Sequence, residues 1–129
     1  MSESANLSSA GRNDVTYTIT TQYATYNNDA IEASLITDII IGFDTEPDDF
    51  IVVVPDAPIG ESSYMQASPA RDAQHSIIVE LRLDYADQSF KHYSYQTTDK
   101  SQVIRMFLDY WGLQKLPDWT NWTDITDQF

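Results

Sequence analysis

The sequence predicts an α+β fold: an antiparallel sheet of about five strands with two main helices packed on one face. Three observations lead there. Several runs alternate apolar and polar residues with the period of a half-buried strand, two stretches carry apolar residues at helical spacing behind an Asp, and the connections between strands are mostly hairpin-like. The resulting order is strand, helix, about four strands, helix, tail. No internal repeat or interdomain linker interrupts it, so residues 14–129 read as a single domain. Residues 1–13, rich in Ser, Ala and Asn without periodicity, read as a disordered leader.

Each element has its own local reason. Val15, Tyr17 and Ile19 alternate with Thr16, Thr18 and Thr20, which marks a first strand. Residues 23–28 form the connection. Asp29, with Glu32 three positions on, resembles a capping box that starts a helix. Ile31, Leu35 and Ile39 recur every four residues, with Ile36 and Ile40 beside them, and Gly42 is the expected stop. The β-branched run 50–54 suits a central strand that Pro55 and Pro58 end. A weaker strand is expected at 63–67, followed by a surface loop over 68–72. Residues 76–85 give the longest alternation, and a turn at Ala86-Asp87-Gln88 folds it onto 90–96 as a hairpin. Asp99 with Gln102 caps a second helix whose Val103, Ile104, Phe107, Leu108 and Trp111 share a face; Gly112 is expected to end it, and Pro117 cannot resume it. The tail has room for a short last strand, with Trp111 and Trp122 expected in the core.

Charge is the strongest feature. Twenty acids stand against seven Lys and Arg, a net charge of −13, and no base occurs between Arg12 and Arg71. A field of this sign repels nucleic acid and anionic membrane and draws in basic partners, typically proteins that themselves bind nucleic acid. With no cysteine, disulfides, thiolate metal sites and thiol nucleophiles are excluded. No apolar run resembles a signal peptide or a transmembrane span, which makes the cytoplasm the expected location.

Constellations for catalysis are thin, and no enzymatic activity, catalytic residue, metal or cofactor is expected. His75 and His92 stand alone, without the spacing of a zinc motif. Asp44, Glu46 and Asp48 mimic the first ligands of a calcium loop, but Asp49 and Pro55 occupy the positions that need glycine and glutamate. Asp56 with Glu80 and Arg82 imitates the layout of metal-dependent nucleases. Arg82 cannot shed its proton near neutral pH, and the segment carrying Asp56 lacks a basic track for phosphates, so strand-end charge pairing is the simpler reading. Tyr17, Tyr23, Tyr26, Tyr64, Tyr93 and Tyr95 lack the interleaved bases that base stacking on nucleic acid needs, which leaves core packing and interface use.

The stretch Ser101-Gln102-Val103-Ile104-Arg105-Met106-Phe107-Leu108-Asp109-Tyr110-Trp111, then Lys115-Leu116-Pro117, then Trp122-Thr123-Asp124-Ile125, resembles the closing block of bacterial immunity proteins of the first-numbered immunity family of polymorphic toxin systems, which includes partners of deaminase toxins. The resemblance covers about 25 residues closely and the remainder in layout; Leu116 stands where a second small or basic residue is common, and the Ser-rich leader is extra. It implies a cytosolic immunity protein that neutralises a cognate toxin domain, deaminase or nuclease, by occluding its basic cleft. The partner is then a basic protein rather than nucleic acid or membrane, held by a monomer in a 1:1 complex. Asp44, Glu46, Asp48, Asp49, Asp56 and Glu61, with Tyr64, are the expected partner-binding residues, because no base lies among them in the sequence. An acidic DNA mimic encoded by a phage against a defence effector is the alternative, and a metal-dependent nuclease the third and weakest reading.

Overall fold

The structure, a computed structural model, describes residues 15–129; the leader expected over 1–13 lies outside them. The chain runs through β1 (Tyr17–Thr20), β2 (Thr25–Tyr26), α1 (Ala33–Ile41), β3 (Ile51–Pro55), β4 (Ser62–Pro69), β5 (Ile77–Asp84), β6 (Phe90–Thr97), α2 (Lys100–Leu113) and β7 (Thr123–Asp124). All strands join one sheet in the order β2-β1-β3-β4-β5-β6-β7, with every neighbouring pair antiparallel. The sheet thus has seven strands rather than about five. The two short ones, β2 and β7, contain two residues each, too few for any periodicity to show in sequence. β2 exists because the chain folds back tightly after β1, with Thr21 N–H donating to the Ala24 carbonyl at 2.9 Å.

Alternation settles which side of the sheet is dry. Ile19, Val53, Met65 and Leu81 lie opposite one another across β1, β3, β4 and β5, and all four are buried. They join Ile36 and Ile40 of α1 and Val103, Phe107 and Tyr110 of α2 in a single core, so both helices cover this inner face. A bulge at the start of β4 shifts the register between Ser62 and Tyr64. It lets Ser62 point inward to meet the Tyr110 hydroxyl at 2.9 Å, while Tyr64 stays on the opposite, outer face.

Helix boundaries differ from expectation for local reasons. Asp29 falls in a 3-10 turn, Asn28–Ala30, and caps nothing; Glu32 is the N-cap of α1, and its side chain makes no capping bond. Gly42 follows α1 but keeps a right-handed φ of −65°, and the chain tightens into a further 3-10 turn, Gly42–Asp44, that buries Phe43. Asp99 does cap α2, its carboxylate accepting the Gln102 N–H at 3.1 Å. Gly112 lies inside α2, and Gln114, at φ 49°, takes the left-handed position that ends it. β4 extends through Pro69 into the expected loop. Trp111 and Trp122 are half-buried rather than core residues; the buried aromatic on α2 is Tyr110.

Candidate functional site

The fold divides the acidic set between the two ends of the sheet. Asp44, Glu46, Asp48 and Asp49 precede β3, whereas Asp56 follows it. Seven steps of extended chain between Asp49 and Asp56 cover roughly 23 Å at ~3.3 Å per residue. Glu61 joins Asp56 at the second end: Asp84 N–H, at the close of β5, donates to the Glu61 carbonyl at 2.9 Å, and Thr16 N–H, at the entry to β1, donates to Asp56 Oδ1 at 3.1 Å. Asn28 accepts from Tyr17 N–H at 3.0 Å, which brings exposed Asp29 and the start of α1 to this end as well.

Two of the four acids at the first end are paired with bases, and the other two are held by hydrogen bonds. Lys100, at the head of α2, pairs with Asp44, and Arg71 with Asp48. The Lys100 ammonium holds the Asp44 carboxyl below the usual carboxylate range. Glu46 accepts the Tyr23 hydroxyl, and that bond raises the tyrosine above its ordinary value. Asp49 is only 8% exposed, and its Oδ1 accepts Phe50 N–H at 2.8 Å and Gln22 N–H at 3.1 Å. Its work is local: it ties the β1–β2 turn to the entry of β3. Sequence separation from any base concealed the first two pairs, because Arg71 and Lys100 reach back from distant elements.

The second end keeps its field. Exposed Asp29, Glu32, Asp56 and Glu61 are in no ion pair among the described residues. Gly60, at φ 58°, opens the tight turn between Ile59 and Ser62 and carries Glu61 at its tip. Asp84 pairs with Arg82 at 3.2 Å and is held charged mainly by the Ser63 hydroxyl, at 2.5 Å, which lowers its pKa.

Next to this end, the outer face of the sheet gathers His92, which stands alone in the sequence, with partners from other strands and the tail. His92 of β6 is 0% exposed, with Nε2 2.6 Å from Glu80 Oε1 and Nδ1 without a hydrogen-bond partner among the described residues. Tyr64 lies beside it, ring centroids 6.0 Å apart, and Phe129 covers it at 4.2 Å. The tail is fixed over β6 by Ile125 N–H donating to the His92 carbonyl at 2.8 Å and by the Thr126 hydroxyl accepting His92 N–H at 3.0 Å. Arg82 stacks on Phe90 at 3.9 Å. Burial of a histidine has no periodic signature of its own; alternation across 90–96 was the available signal, but it could not reveal a covering tail.

Asp56, Glu80 and Arg82, the nuclease-like trio, are engaged with Thr16, His92 and Asp84 respectively. Among the described residues no group of three or more His, Cys, Asp or Glu could hold a metal ion, and no helix is long and apolar enough to cross a membrane.

A cleft of about 540 Å³ opens between α2 and the tail, lined by Tyr95, Arg105, Asp109, Lys115 and Trp122 among others. Tyr95 and Trp122 stack at 5.3 Å with planes 11° apart. No family model, no curated protein and no solved structure matches the chain.

Proposed function

We propose that this protein binds and neutralises a basic partner protein, the toxin domain of an interbacterial competition system of deaminase or nuclease class, through the end of the sheet that carries Asp56 and Glu61. The observation that supports this reading is the uneven compensation of charge. Four of the six bases in 15–129 are committed to ion pairs with Asp48, Asp84, Asp124 and Asp44, whereas Asp29, Glu32, Asp56 and Glu61 stand exposed and in no ion pair among the described residues. A toxin acting on nucleic acid must present a basic cleft, and complementary fields speed encounter and fix register. Tyr64, half-buried on the adjoining outer face, supplies an aromatic anchor of the kind that governs dissociation. The closing-motif resemblance supplies the toxin as the partner's class.

The test mixes the protein with the toxin domain encoded beside its gene and follows association by stopped flow across salt concentrations. A 1:1 complex is expected, forming more slowly as salt shortens the Debye length to about 8 Å at physiological ionic strength. Asp56→Lys with Glu61→Lys should slow association and flatten the salt dependence, whereas Asp44→Asn with Asp48→Asn should change it little. Absence of a complex, or equal effects from both pairs, overturns the reading.

A further inference from the structure

The cleft between α2 and the tail holds an arrangement of charges unlike the rest of the surface. Arg105 and Lys115 are the two bases of 15–129 that make no ion pair among the described residues, and both line this one cleft. Asp109 lies one helical turn beyond Arg105 on α2 and lines it too. Residues at this spacing ordinarily meet on a helix surface, yet Arg105 and Asp109 are not paired within 4.0 Å, and the Asp109 carboxylate has no hydrogen-bond partner among the described residues. The second carboxylate lining the cleft, Asp118, is already occupied: it accepts Thr120 N–H at 3.1 Å and the Thr120 hydroxyl at 2.6 Å. One wall is the stacked Tyr95–Trp122 pair, steadied where the Tyr95 hydroxyl donates to Gln102 at 3.0 Å.

Two unspent cations, an unspent carboxylate and a flat aromatic wall in one cleft define the complement of a particular ligand. The volume, about 540 Å³, lies within the range of small-molecule sites. We propose that this cleft binds a free zwitterionic α-amino acid with an aromatic side chain. The ligand carboxylate is taken by Arg105, with Lys115 adding to the local positive field. Its ammonium is taken by Asp109, and its ring packs against Trp122. A simple anion would be repelled by Asp109 and Asp118 and by the overall charge of −13; a simple cation would be repelled by Arg105 and Lys115. The zwitterion alone satisfies both charges and the wall. The site is distinct from the acidic end proposed to face a protein partner, so either assignment can fail without the other.

The test uses the full chain and four probes that add no indole signal: L-phenylalanine, its amide, its N-acetyl derivative and the dipeptide Phe-Phe. Binding is read from tryptophan fluorescence and from backbone amide shifts at 102–122. L-phenylalanine should shift both saturably below about 10 mM, the range expected of a small open site. The amide, lacking the carboxylate, and the acetyl derivative, lacking the ammonium, should each bind about tenfold more weakly, the order of one charge-assisted hydrogen bond. Phe-Phe, whose two charges lie on different residues and farther apart, should also bind more weakly than L-phenylalanine; tighter binding of the dipeptide overturns the proposal. Arg105→Gln should abolish the preference for L-phenylalanine over its amide, and Asp109→Asn the preference over its acetyl form. Both positions are on the solvent-accessible side of α2, and unchanged far-UV circular dichroism checks that the fold persists. No saturable response to L-phenylalanine, or equal affinity for charged and blocked forms, overturns the proposal.

Discussion

Replacing Asp49 with alanine would leave the N–H groups of Gln22 and Phe50 without the carboxylate that joins them. Two charge-assisted bonds at a nearly buried position make a loss of about 2–3 kcal/mol the expected result in urea unfolding. Partner binding by the folded fraction should be unaffected, which separates Asp49 from Asp56. The sequence could not distinguish the two aspartates, since both flank the same apolar run; only the fold shows that one is a brace and the other is on the surface. Tyr110 teaches the converse. It lies outside the apolar face that the sequence predicts for α2, yet it is 0% exposed, because its hydroxyl meets that of Ser62 at 2.9 Å and the Tyr17 hydroxyl donates to its carbonyl at 3.2 Å. Burial raises the Tyr110 pKa well above that of a free phenol, the Ser62 bond opposing the shift in part. A folded-state pKa above the unfolded value of about 10 means that the stability contribution is whole below pH ~10 and declines as pH rises beyond it. Tyr110→Phe should therefore flatten the alkaline limb of the stability profile, measured by denaturant midpoint between pH 9 and 11, while lowering neutral stability by about 1 kcal/mol.

At the level of elements, the longer strands and the short last strand in the tail, β7, were legible, whereas β2 was not, because it is held by a turn rather than by a pattern. The second helix was legible at its start, where Asp99 is a side-chain cap, and misread at its end, where Gln114 supplies the left-handed residue in place of glycine. The candidate site was less legible than the fold: pairs such as Lys100–Asp44 and Arg71–Asp48 depend on which loops meet, and a linear charge map cannot show that. The tail illustrates how far a local motif carries. Trp122 does fasten it, but by stacking on Tyr95 of β6 from a half-buried position, not by entering the core. Trp122→Ala should accordingly cost about 2 kcal/mol, less than the 3–5 kcal/mol of a fully buried aromatic. Faster amide exchange should be confined to β7 and the adjoining positions of β6. A loss of 4 kcal/mol or more with exchange rising through β3 would place Trp122 in the cooperative core after all.

Over the whole molecule, stability and charge pull in opposite directions. The net charge of −13 favours chain expansion through self-repulsion, and the exposed ion pairs at Asp48, Asp124 and Asp44 offset little of it, since such pairs contribute about 0–1 kcal/mol each. Salt weakens both effects, and their relative size decides the sign. Raising ionic strength from about 0.01 to 0.15 M shortens the Debye length from about 30 to 8 Å. That removes the long-range repulsion among many acids while only partly weakening direct ion-pair contacts. The expected outcome is a Tm that rises with sodium chloride over this range, measured by circular dichroism well below the concentrations at which ion-specific effects dominate. Glu61→Lys should reproduce part of the rise at low salt, because it removes a charge from the uncompensated end at an exposed turn tip where nothing else depends on it. The same substitution should slow capture of the basic partner. Greater stability with slower association would mean that these acids are retained against the interest of the fold, for recognition. A Tm that falls as salt is added would instead mean that the ion pairs outweigh the repulsion, and the acidic end would lose its claim to be a functional surface.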